Sequence, residues 1–455
     1  MSPTSKAFSQ EFEKATYRKV TWRLIPFLFL LYIVAFLDRV NVGYAKLQMS
    51  SDLQLSEATY GLGAGLFFIG YFLFEVPSNL ILERVGARIW IARILIVWGV
   101  ISTAFMFVHT PTHFYVLRFL LGVGEAGFFP GVILFLTYWF PVAFRARMVA
   151  MFMTAIAVAG VIGGPLSGWV MRDMAGLWGL AGWQWVFLLE GVPAIILGFV
   201  TLGYLQDGPH KAKWLSQDQR QLVLIRLDED RLRALETSGH RHLLKSLQDY
   251  NLWVLVLIVF CINLGLYGVN FFLPQLLKDM GVKDLLWNGI VSAIPFGIAA
   301  IAMVLNGRHS DKTMERRWHT ALPAVVAGIG LVIAATAGTG HTALAIFGLT
   351  LATTGMLCSV SAFWTIPPTF FAASAAAGGI ALINSLANLG GFFGPYLMGL
   401  VREYLHSNTV GLYFLASALF LCAALTLMVL KSRSTDVGKP LFAVAYEGAV
   451  IPPGR

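Results

Sequence analysis

Residues 79–88 read NLILERVGAR, a short charged segment that contains Glu83 and Arg84 and lies between two long apolar runs. Residues 307–317 read GRHSDKTMERR and again combine an acid, Asp311, with basic residues after an apolar run. Glu83 and Asp311 are 228 positions apart (311 − 83). The spacing suggests that one structural unit occurs twice in the chain.

A second pair of motifs supports this duplication. Gly160-x-x-x-Gly164-Pro165 recurs as Gly390-x-x-x-Gly394-Pro395, an offset of 230 positions (390 − 160). Two independent motifs shifted by nearly the same distance indicate that the two halves of the chain are related. A duplicated unit of membrane helices is typical of transporters, whose halves move around a shared site.

The composition is that of an integral membrane protein. Apolar residues make up 57% of the chain, charged residues 13%, and the mean hydropathy is +0.71. Soluble domains carry roughly 25% charged residues. A membrane-spanning helix needs about 20 mostly apolar residues. The sequence predicts twelve such helices, at 20–43, 58–82, 89–109, 112–138, 146–171, 184–206, 250–276, 286–305, 320–340, 342–370, 378–401 and 410–431.

We therefore predict an all-α membrane protein with two pseudo-symmetric six-helix halves. The halves are residues 20–206 and 250–431, and a polar central loop, 207–249, separates them. Basic residues concentrate in the tails 1–19 and 432–455, in the central loop and in alternate connections, which places both termini in the cytoplasm. The same bias, with anionic lipid headgroups, explains the net charge of +9, so nucleic-acid binding is not expected.

The sequence contains no pattern typical of a cofactor or metal site. Cys261, Cys358 and Cys422 lie singly in apolar stretches, which favours neither disulfides nor thiolate ligands. Walker and nucleophile-elbow motifs do not occur, and no glycine motif follows a predicted strand as a dinucleotide fingerprint would, which disfavours an enzyme. No removable signal peptide is evident in the first residues.

Four ionisable residues interrupt the apolar segments. They are Asp38 and Arg39 in VAFLDRVNVG and Arg118 and Glu125 in VLRFLLGVGEAGFFPG. A charge near the bilayer centre costs about 2.5–3.5 kcal/mol on the most lenient scale, so such residues usually line a substrate or ion path. Arg118 and Glu125 are two helical turns apart and share a face. We expect all four to meet in one cavity, with acids and bases neutralising each other before substrate binds.

These residue types favour an anionic substrate and proton coupling. Arginine stays charged and binds a carboxylate through two parallel hydrogen bonds, so Arg39 and Arg118 are the predicted substrate ligands. Burial opposes ionisation of a carboxyl group and a nearby arginine favours it, so Asp38 and Glu125 are the predicted proton carriers. The alternative is a set of static ion pairs that only position helices, and for Asp38 a brace at the end of its helix.

The C-terminal half contributes uncharged groups to the predicted site. At an offset of about 229 from Asp38, Arg118 and Glu125 the chain has Tyr267, Phe347 and Thr354. Specificity would then depend on polar and aromatic side chains, each of which could equally serve helix packing. The candidates are Asn263, Tyr267, Asn270, Ser361, Trp364, Asn384 and Asn388.

In its twelve predicted helices and its repeated motifs, the chain resembles the major facilitator superfamily. Within that superfamily it resembles the anion:cation symporter family. The resemblance rests on FLDRVNVG, PSNLILERVGAR, LRFLLGVGEAGFFPG, YWFPVAFRAR, GWQWVFLLEG, ERRWHTALP and FWTIPP. That family includes the tartrate, 4-hydroxyphenylacetate, phthalate and sugar-acid permeases of bacteria. The resemblance implies a location in the bacterial inner membrane.

The resemblance also assigns roles to individual residues. It implies that Tyr71, Ser361, Trp364 and Asn384 contact substrate. It further implies a cytoplasmic gate of salt bridges that holds the outward-facing state closed. The predicted gate residues are Glu83, Arg84, Arg88, Asp311 and Lys312.

Two positions give information on the substrate, and the role of a third, Glu75, is undecided from the sequence. Phe36 and Ile156 are apolar where sugar-acid members of the family offer polar side chains, which disfavours a polyhydroxylated substrate. Glu75 in FFIGYFLFEVPSN resembles the tartrate-type members, and a gating or lipid-interface role for it is as consistent with the sequence as substrate binding.

We thus expect a monomeric, proton-coupled symporter that imports a small organic anion such as a hydroxy-dicarboxylate, an aromatic acid or a sugar acid. Its partners would be that anion, protons and the lipid bilayer. The sequence leaves two other classes open. Gly160-x-x-x-Gly164-Pro165-x-x-Gly168 resembles a motif of exporters and suggests a major facilitator antiporter that exports a drug or metabolite. A membrane receptor or embedded enzyme would need a further domain that the central loop is too short to supply.

Overall fold

The protein is built from α-helices, and the described residues contain no β-strand. The computed structural model describes residues 8–237, 250–367 and 373–431. Parts of the predicted central loop, the last residues of the predicted tenth helix and the C-terminal tail lie outside them. The helices are α1 (Gln10–Asp52), α2 (Glu57–Val85), α3 (Ala87–Ala104), α4 (Pro111–Glu125), α5 (Phe128–Thr137), α6 (Val142–Met153), α7 (Ala155–Asp173), α8 (Gly182–Tyr204), α9 (Gln217–Thr237), α10 (Tyr250–Asp279), α11 (Leu285–Thr313), α12 (Arg317–Ala337), α13 (Thr342–Phe363), α14 (Ala373–Ala387), α15 (Leu389–Leu405) and α16 (Asn408–Lys431).

Eleven of the twelve predicted membrane segments are confirmed, with changes at their ends. Within the described residues, eleven helical segments are long and apolar enough to cross a membrane. The remaining predicted segment, 378–401, is divided at Asn388 between α14 and α15. The first helix extends well beyond 20–43, because the polar residues that flank its apolar core continue the helix outside it.

Side-chain caps fix where several helices begin. Ser56, Thr110 and Asp284 each accept a hydrogen bond from the backbone N–H three residues later, at 3.2, 3.2 and 2.8 Å. These bonds satisfy N–H groups that have no partner within the helix. The caps separate α2, α4 and α11 from the helices that precede them.

The predicted fourth helix, 112–138, is interrupted immediately after Glu125. Ala126 has an extended ψ of 131°, and Gly127 has a φ of +85°, which an L side chain rarely adopts. A Cβ at Gly127 would lie 2.3 Å from the hydroxyl oxygen of Ser78 on α2. The break therefore allows α2 to approach closely and places Glu125 at the C-terminal end of α4.

The helices before and after the central loop meet along two seams. We refer to α1–α8 as the N-terminal set and to α10–α16 as the C-terminal set. A Cβ at Gly61 would lie 2.5 Å from the carbonyl oxygen of Pro395, and one at Gly164 would lie 2.3 Å from that of Gly289. The glycines thus let α2 pack on α15 and α7 pack on α11 with backbones in near contact. Arg39, on α1, lies between these two sets.

The outward faces carry apolar side chains, as expected of a protein surrounded by lipid. Leu80, Phe199 and Ile301 are 56%, 62% and 66% exposed. Such patches are rare on soluble monomers. The buried charged residues lie instead between helices.

Candidate functional site

Arg39 connects the two sets of helices. Its guanidinium group forms an ion pair with the carboxylate of Glu125 on α4, in the N-terminal set. Its Nη1 donates a 3.0 Å hydrogen bond to the hydroxyl of Tyr267 on α10, in the C-terminal set. Its Nε is buried and has no hydrogen-bond partner among the described residues. A change in the charge of Glu125 would therefore act on a contact between the sets.

Arg118 is fully buried and is held by backbone instead of by an acid. Its Nε and Nη2 donate to the carbonyl oxygens of Gly63 and Ala64 on α2, at 3.4 and 2.9 Å. Gly122 makes this reach possible, because a Cβ there would lie 1.9 Å from the carbonyl oxygen of Phe67. The Nη1 of Arg118 is buried without a partner in the described part of the chain. A buried donor without a partner is costly, which makes this nitrogen a candidate ligand for an anion.

Aromatic rings flank both guanidinium groups. The Cζ atoms of Arg39 and Arg118 each lie 5.2 Å from the centroid of Phe67. The ring centroid of Tyr71 lies 5.5 Å from the Cζ of Arg39, and that of Phe271 on α10 lies 5.5 Å from the Cζ of Arg118. These distances are within the range of cation–π attraction. The rings surround two buried positive charges, and burial strengthens their attraction for an anion.

Asn270 and Asn384 bring amide groups from the C-terminal set. Asn270 is buried, and neither its Oδ1 nor its Nδ2 has a partner among the residues described. Asn384 donates a 2.6 Å hydrogen bond to the Oε1 of Glu75 on α2. Glu75 is 1% exposed, so it does not lie at the lipid surface. The contact from Glu75 to Asn384 is a second polar connection between the sets.

Ser361 and Trp364 lie near the end of α13, apart from the arginine contacts given above. The Ser361 hydroxyl donates to the carbonyl oxygen of Cys358 on its own helix at 2.9 Å. The ring of Trp364 packs edge-on against Phe363, with centroids 5.4 Å apart. Both are partly exposed in this conformation. Their predicted role in substrate contact stays a prediction.

Asp38 is turned away from both arginines. Its carboxylate accepts hydrogen bonds from two side chains of α3, the indole Nε1 of Trp98 and the hydroxyl of Ser102, each at 2.7 Å. It also accepts one from the amide of Asn41 at 3.4 Å. Adjacent residues on a helix point about 100° apart. Since Arg39 faces the C-terminal set, Asp38 faces α3. The expected pairing of acids with arginines is therefore found for Glu125 with Arg39 and not for Asp38 or Arg118.

Glu190 is a further buried acid inside the N-terminal set. It is 3% exposed and accepts a 2.7 Å hydrogen bond from Ser167 on α7, while its Oε2 is buried without a partner in the described structure. Its hydrogen-bond partner therefore lies in a membrane helix and not in a loop. Glu190 lies on α8, apart from the seams between the sets.

The predicted cytoplasmic gate residues do not pair across the sets in this conformation. Glu83 and Arg84 are exposed, and the backbone N–H of Arg88 donates to Asp207 at 3.0 Å. Asp311 pairs within its own set, with Arg316 at 2.6 Å, and Lys312 is exposed. Among the described residues, no ion pair joins the two segments.

A network at the opposite end of the bundle does join the sets. It consists of Lys46, Glu57, Asp279 and Arg402, and we refer to it as the Glu57 network. Glu57 pairs with Lys46 at 2.8 Å and with Arg402 of α15 at 2.9 Å, and Arg402 also pairs with Asp279 at 2.9 Å. Lys46 is 2% exposed. Local sequence patterns do not reveal this network, because it joins residues 345 positions apart.

The comparison with known families agrees with this architecture. The sequence profile described as Major Facilitator Superfamily matches residues 28–395. A putative tartrate transporter of Agrobacterium vitis is 47% identical over 431 residues, which cover 95% of this chain and 98% of that protein. A quinolone resistance transporter of Acinetobacter baumannii is 40% identical over 437 residues, covering 95% and 100% of the two chains.

A solved structure supports the fold. The inward-facing, unoccupied form of a bacterial homolog of the human lysosomal transporter Spinster has a TM-score of 0.73. The match covers 95% of this chain and 100% of that one, at 17% identity, so it bears on the fold alone.

Proposed function

Because this chain belongs to the Major Facilitator Superfamily, we propose that it imports a small organic anion together with protons by alternating access. It is a multi-pass membrane transporter and not an enzyme, as the sequence predicted. The finer assignment of an anionic substrate, of proton coupling and of the bacterial inner membrane is our proposal.

The observation that supports an anionic substrate best is the pair of buried arginines. Arg39 and Arg118 flank one ring, and each retains a buried N–H that the described residues leave without an acceptor. A carboxylate can accept from both, and such charge-assisted bonds are roughly twice as strong as neutral ones. Asn270 would add amide contacts from the C-terminal set, so the bound anion would bridge the sets.

The surroundings favour a small carboxylate. The family resemblance implies that Phe36 and Ile156 lie beside the substrate, and these apolar side chains would leave sugar hydroxyls without partners. The relative named as a putative tartrate transporter is consistent with a hydroxy-dicarboxylate. An aromatic acid would also fit beside Phe67 and Tyr71 by stacking.

Proton coupling follows from competition for Arg39. While Glu125 is ionised, its carboxylate is ion-paired with the guanidinium group of Arg39. When Glu125 takes up a proton, the ion pair is weakened, and Arg39 becomes available to the carboxylate of the substrate. Loss of the proton on the other side restores the pair and expels the anion. Moving one proton per negative charge also avoids a cost of about 2.3 kcal/mol per charge at 100 mV.

Asp38 keeps its proposed role as a proton carrier, but by another route. Its contacts are to Trp98 and Ser102, so its charge state would act on the packing of α1 against α3 and not on an arginine directly. Asp38 and Glu125 lie on different helices of the same set. A static bracing role for Asp38 is the alternative, and transport by Asp38→Asn decides between them.

Alternating access is supported by the distribution of contacts between the sets. We propose that α1–α8 and α10–α16 form two six-helix bundles with both termini in the cytoplasm. The Glu57 network would then close the periplasmic end, while the predicted cytoplasmic gate residues are apart. In the outward-facing state, the network would break and the gate residues would pair.

The test begins with purified protein and a panel of organic acids in a thermal-shift screen. Acids that stabilise the protein are then offered to proteoliposomes with and without an inward proton gradient. Uphill accumulation that requires the gradient supports the proposal. Stabilisation by cationic drugs but by no carboxylate would contradict it.

A second candidate, a proton-driven exporter of drugs, is favoured by the quinolone resistance relative. The glycine motif that also suggests it has a packing explanation here, since Gly164 meets Gly289 and Gly160 meets Phe296. Two buried guanidinium groups oppose a cationic substrate. Counterflow direction in inverted vesicles separates the candidates, because an exporter would load the vesicles in response to a proton gradient and an importer would not.

A further inference from the structure

Glu75 is a buried acid that the proposed cycle does not yet use. Its side chain is 1% exposed, although it lies on an apolar helix that faces lipid elsewhere. Its Oε1 accepts the 2.6 Å hydrogen bond from Asn384, and its Oε2 has no hydrogen-bond partner among the described residues. The carboxyl group is therefore enclosed but only half satisfied.

The groups that face Glu75 are neutral or already engaged. From α14 it meets the amide of Asn384 and, close by, the side chain of Ser385, and Asn388 lies near it just after the end of α14. From its own helix it faces Tyr71, one turn away. The cation that acts on it is Arg39 on α1, which is already ion-paired to Glu125. A buried carboxyl group without its own cation is satisfied most simply by a proton.

The position of Glu75 links its charge to movement of the sets. Glu75 is 18 residues from Glu57 along α2 (75 − 57), a rise of about 27 Å at 1.5 Å per residue. The contact from Glu75 to Asn384 thus joins α2 to α14 far from the Glu57 network. Opening the bundle at this end would have to break that contact.

We propose that Glu75 is a further proton-binding site, besides Glu125 and Asp38, whose contact with Asn384 holds the sets together when the carboxyl group is ionised and releases them when it is protonated. The inference rests on the proposed proton-coupled transport. A hydrogen bond to an ionised acceptor is stronger than one to a neutral acceptor, so protonation weakens the contact. With Glu125, this site would allow two protons to accompany a doubly charged anion.

Infrared pH-difference spectroscopy on the full-length protein in liposomes tests the site without any substrate. We expect a band from a protonated carboxyl group that appears on acidification and is lost in Glu75→Gln. Glu190→Gln is the matched control, because Glu190 is also buried beside a neutral donor but lies within one set, and it should leave that band in place. A band that Glu75→Gln leaves unchanged would overturn the proposal.

A second variant keeps the test decisive if Glu75→Gln does not fold. Asn384→Ala removes the observed hydrogen-bond donor, so the Glu75 band should persist but change in frequency. An identical band in Asn384→Ala would show that the titrating group is elsewhere and would also overturn the proposal.

Proton stoichiometry, measured from the reversal potential with tartrate as the probe, tests the consequence for transport. Glu75→Gln should move one proton fewer per tartrate than the unaltered protein, and an equal stoichiometry would overturn the role in coupling. If the unaltered protein moves tartrate without protons, the proposed function fails as well. If it does not move tartrate at all, the infrared result alone decides whether Glu75 binds a proton.

Discussion

Replacing Arg118 by lysine is the most informative single change in the proposed substrate site. The guanidinium group of Arg118 uses Nε and Nη2 on the carbonyl oxygens of Gly63 and Ala64, and Nη1 remains for the anion. Lysine keeps the positive charge but presents one nitrogen with no fork geometry. Its single nitrogen cannot occupy the positions of Nε, Nη1 and Nη2 together, so its contact with the carbonyl oxygens of α2 or with the substrate is weakened.

The expected loss of affinity follows from one charge-assisted hydrogen bond. Such a bond contributes about 1.5–3 kcal/mol. At about 1.4 kcal/mol per tenfold change, Arg118→Lys should weaken binding of the organic acid by about 10- to 150-fold. The dissociation constant is measured by titration calorimetry on purified protein, with the acid that gives the strongest thermal shift.

A matched control separates a binding effect from a general effect of the substitution. Arg172→Lys changes an arginine whose side chain is 41% exposed and whose ion pair is with its own neighbour, Asp173. This variant should bind the acid as the unaltered protein does. If Arg118→Lys binds within twofold of the unaltered protein while remaining folded, then Arg118 is not a substrate ligand and the reasoning is refuted.

Two further changes test proton coupling and gating. Glutamine at position 125 (Glu125→Gln) keeps the shape of the side chain but cannot ionise. Substrate exchange across proteoliposome membranes should therefore persist, while accumulation driven by a proton gradient is lost. Loss of both exchange and accumulation, at normal protein levels, would argue against Glu125 as a proton carrier. Arg402→Gln removes two ion pairs of the Glu57 network, which together contribute about 1–3 kcal/mol. The ratio of molecules open at the Glu57 end to molecules closed there should therefore rise by about 5- to 150-fold. Spin labels at the exposed residues Ser51 and Tyr404 measure the opening as a larger fraction of long label-to-label distances. The control variant Arg172→Gln should leave these distances unchanged.

The positions of the membrane helices could be predicted from the sequence because each depends on local properties. Apolar length alone located the spans, and the repeated motifs indicated the twofold organisation. The break between α4 and α5 could not be predicted in the same way. A glycine tolerates φ > 0 at any position, so the sequence alone does not show that Gly127 adopts it or that α2 packs against it there.

The charged residues could be selected from the sequence, but their partners could not. Asp38 and Arg39 are neighbours on one helix, and the sequence does not say which of the two faces the other set. Arg118 and Glu125 share a helical face, yet Arg118 takes backbone carbonyl oxygens of α2 because the glycine at 122 permits that approach. Glu75 and the Glu57 network depend on contacts across the sets, which local patterns do not encode.

Accumulation of an organic acid by proteoliposomes under an imposed inward proton gradient tests the central claim most directly. We predict that the unaltered protein concentrates a carboxylate above its external level only while the gradient lasts, and that an ionophore which collapses the gradient returns the acid to equilibrium. Accumulation of the same extent with and without the gradient would contradict coupling between the Arg39 site and the proton.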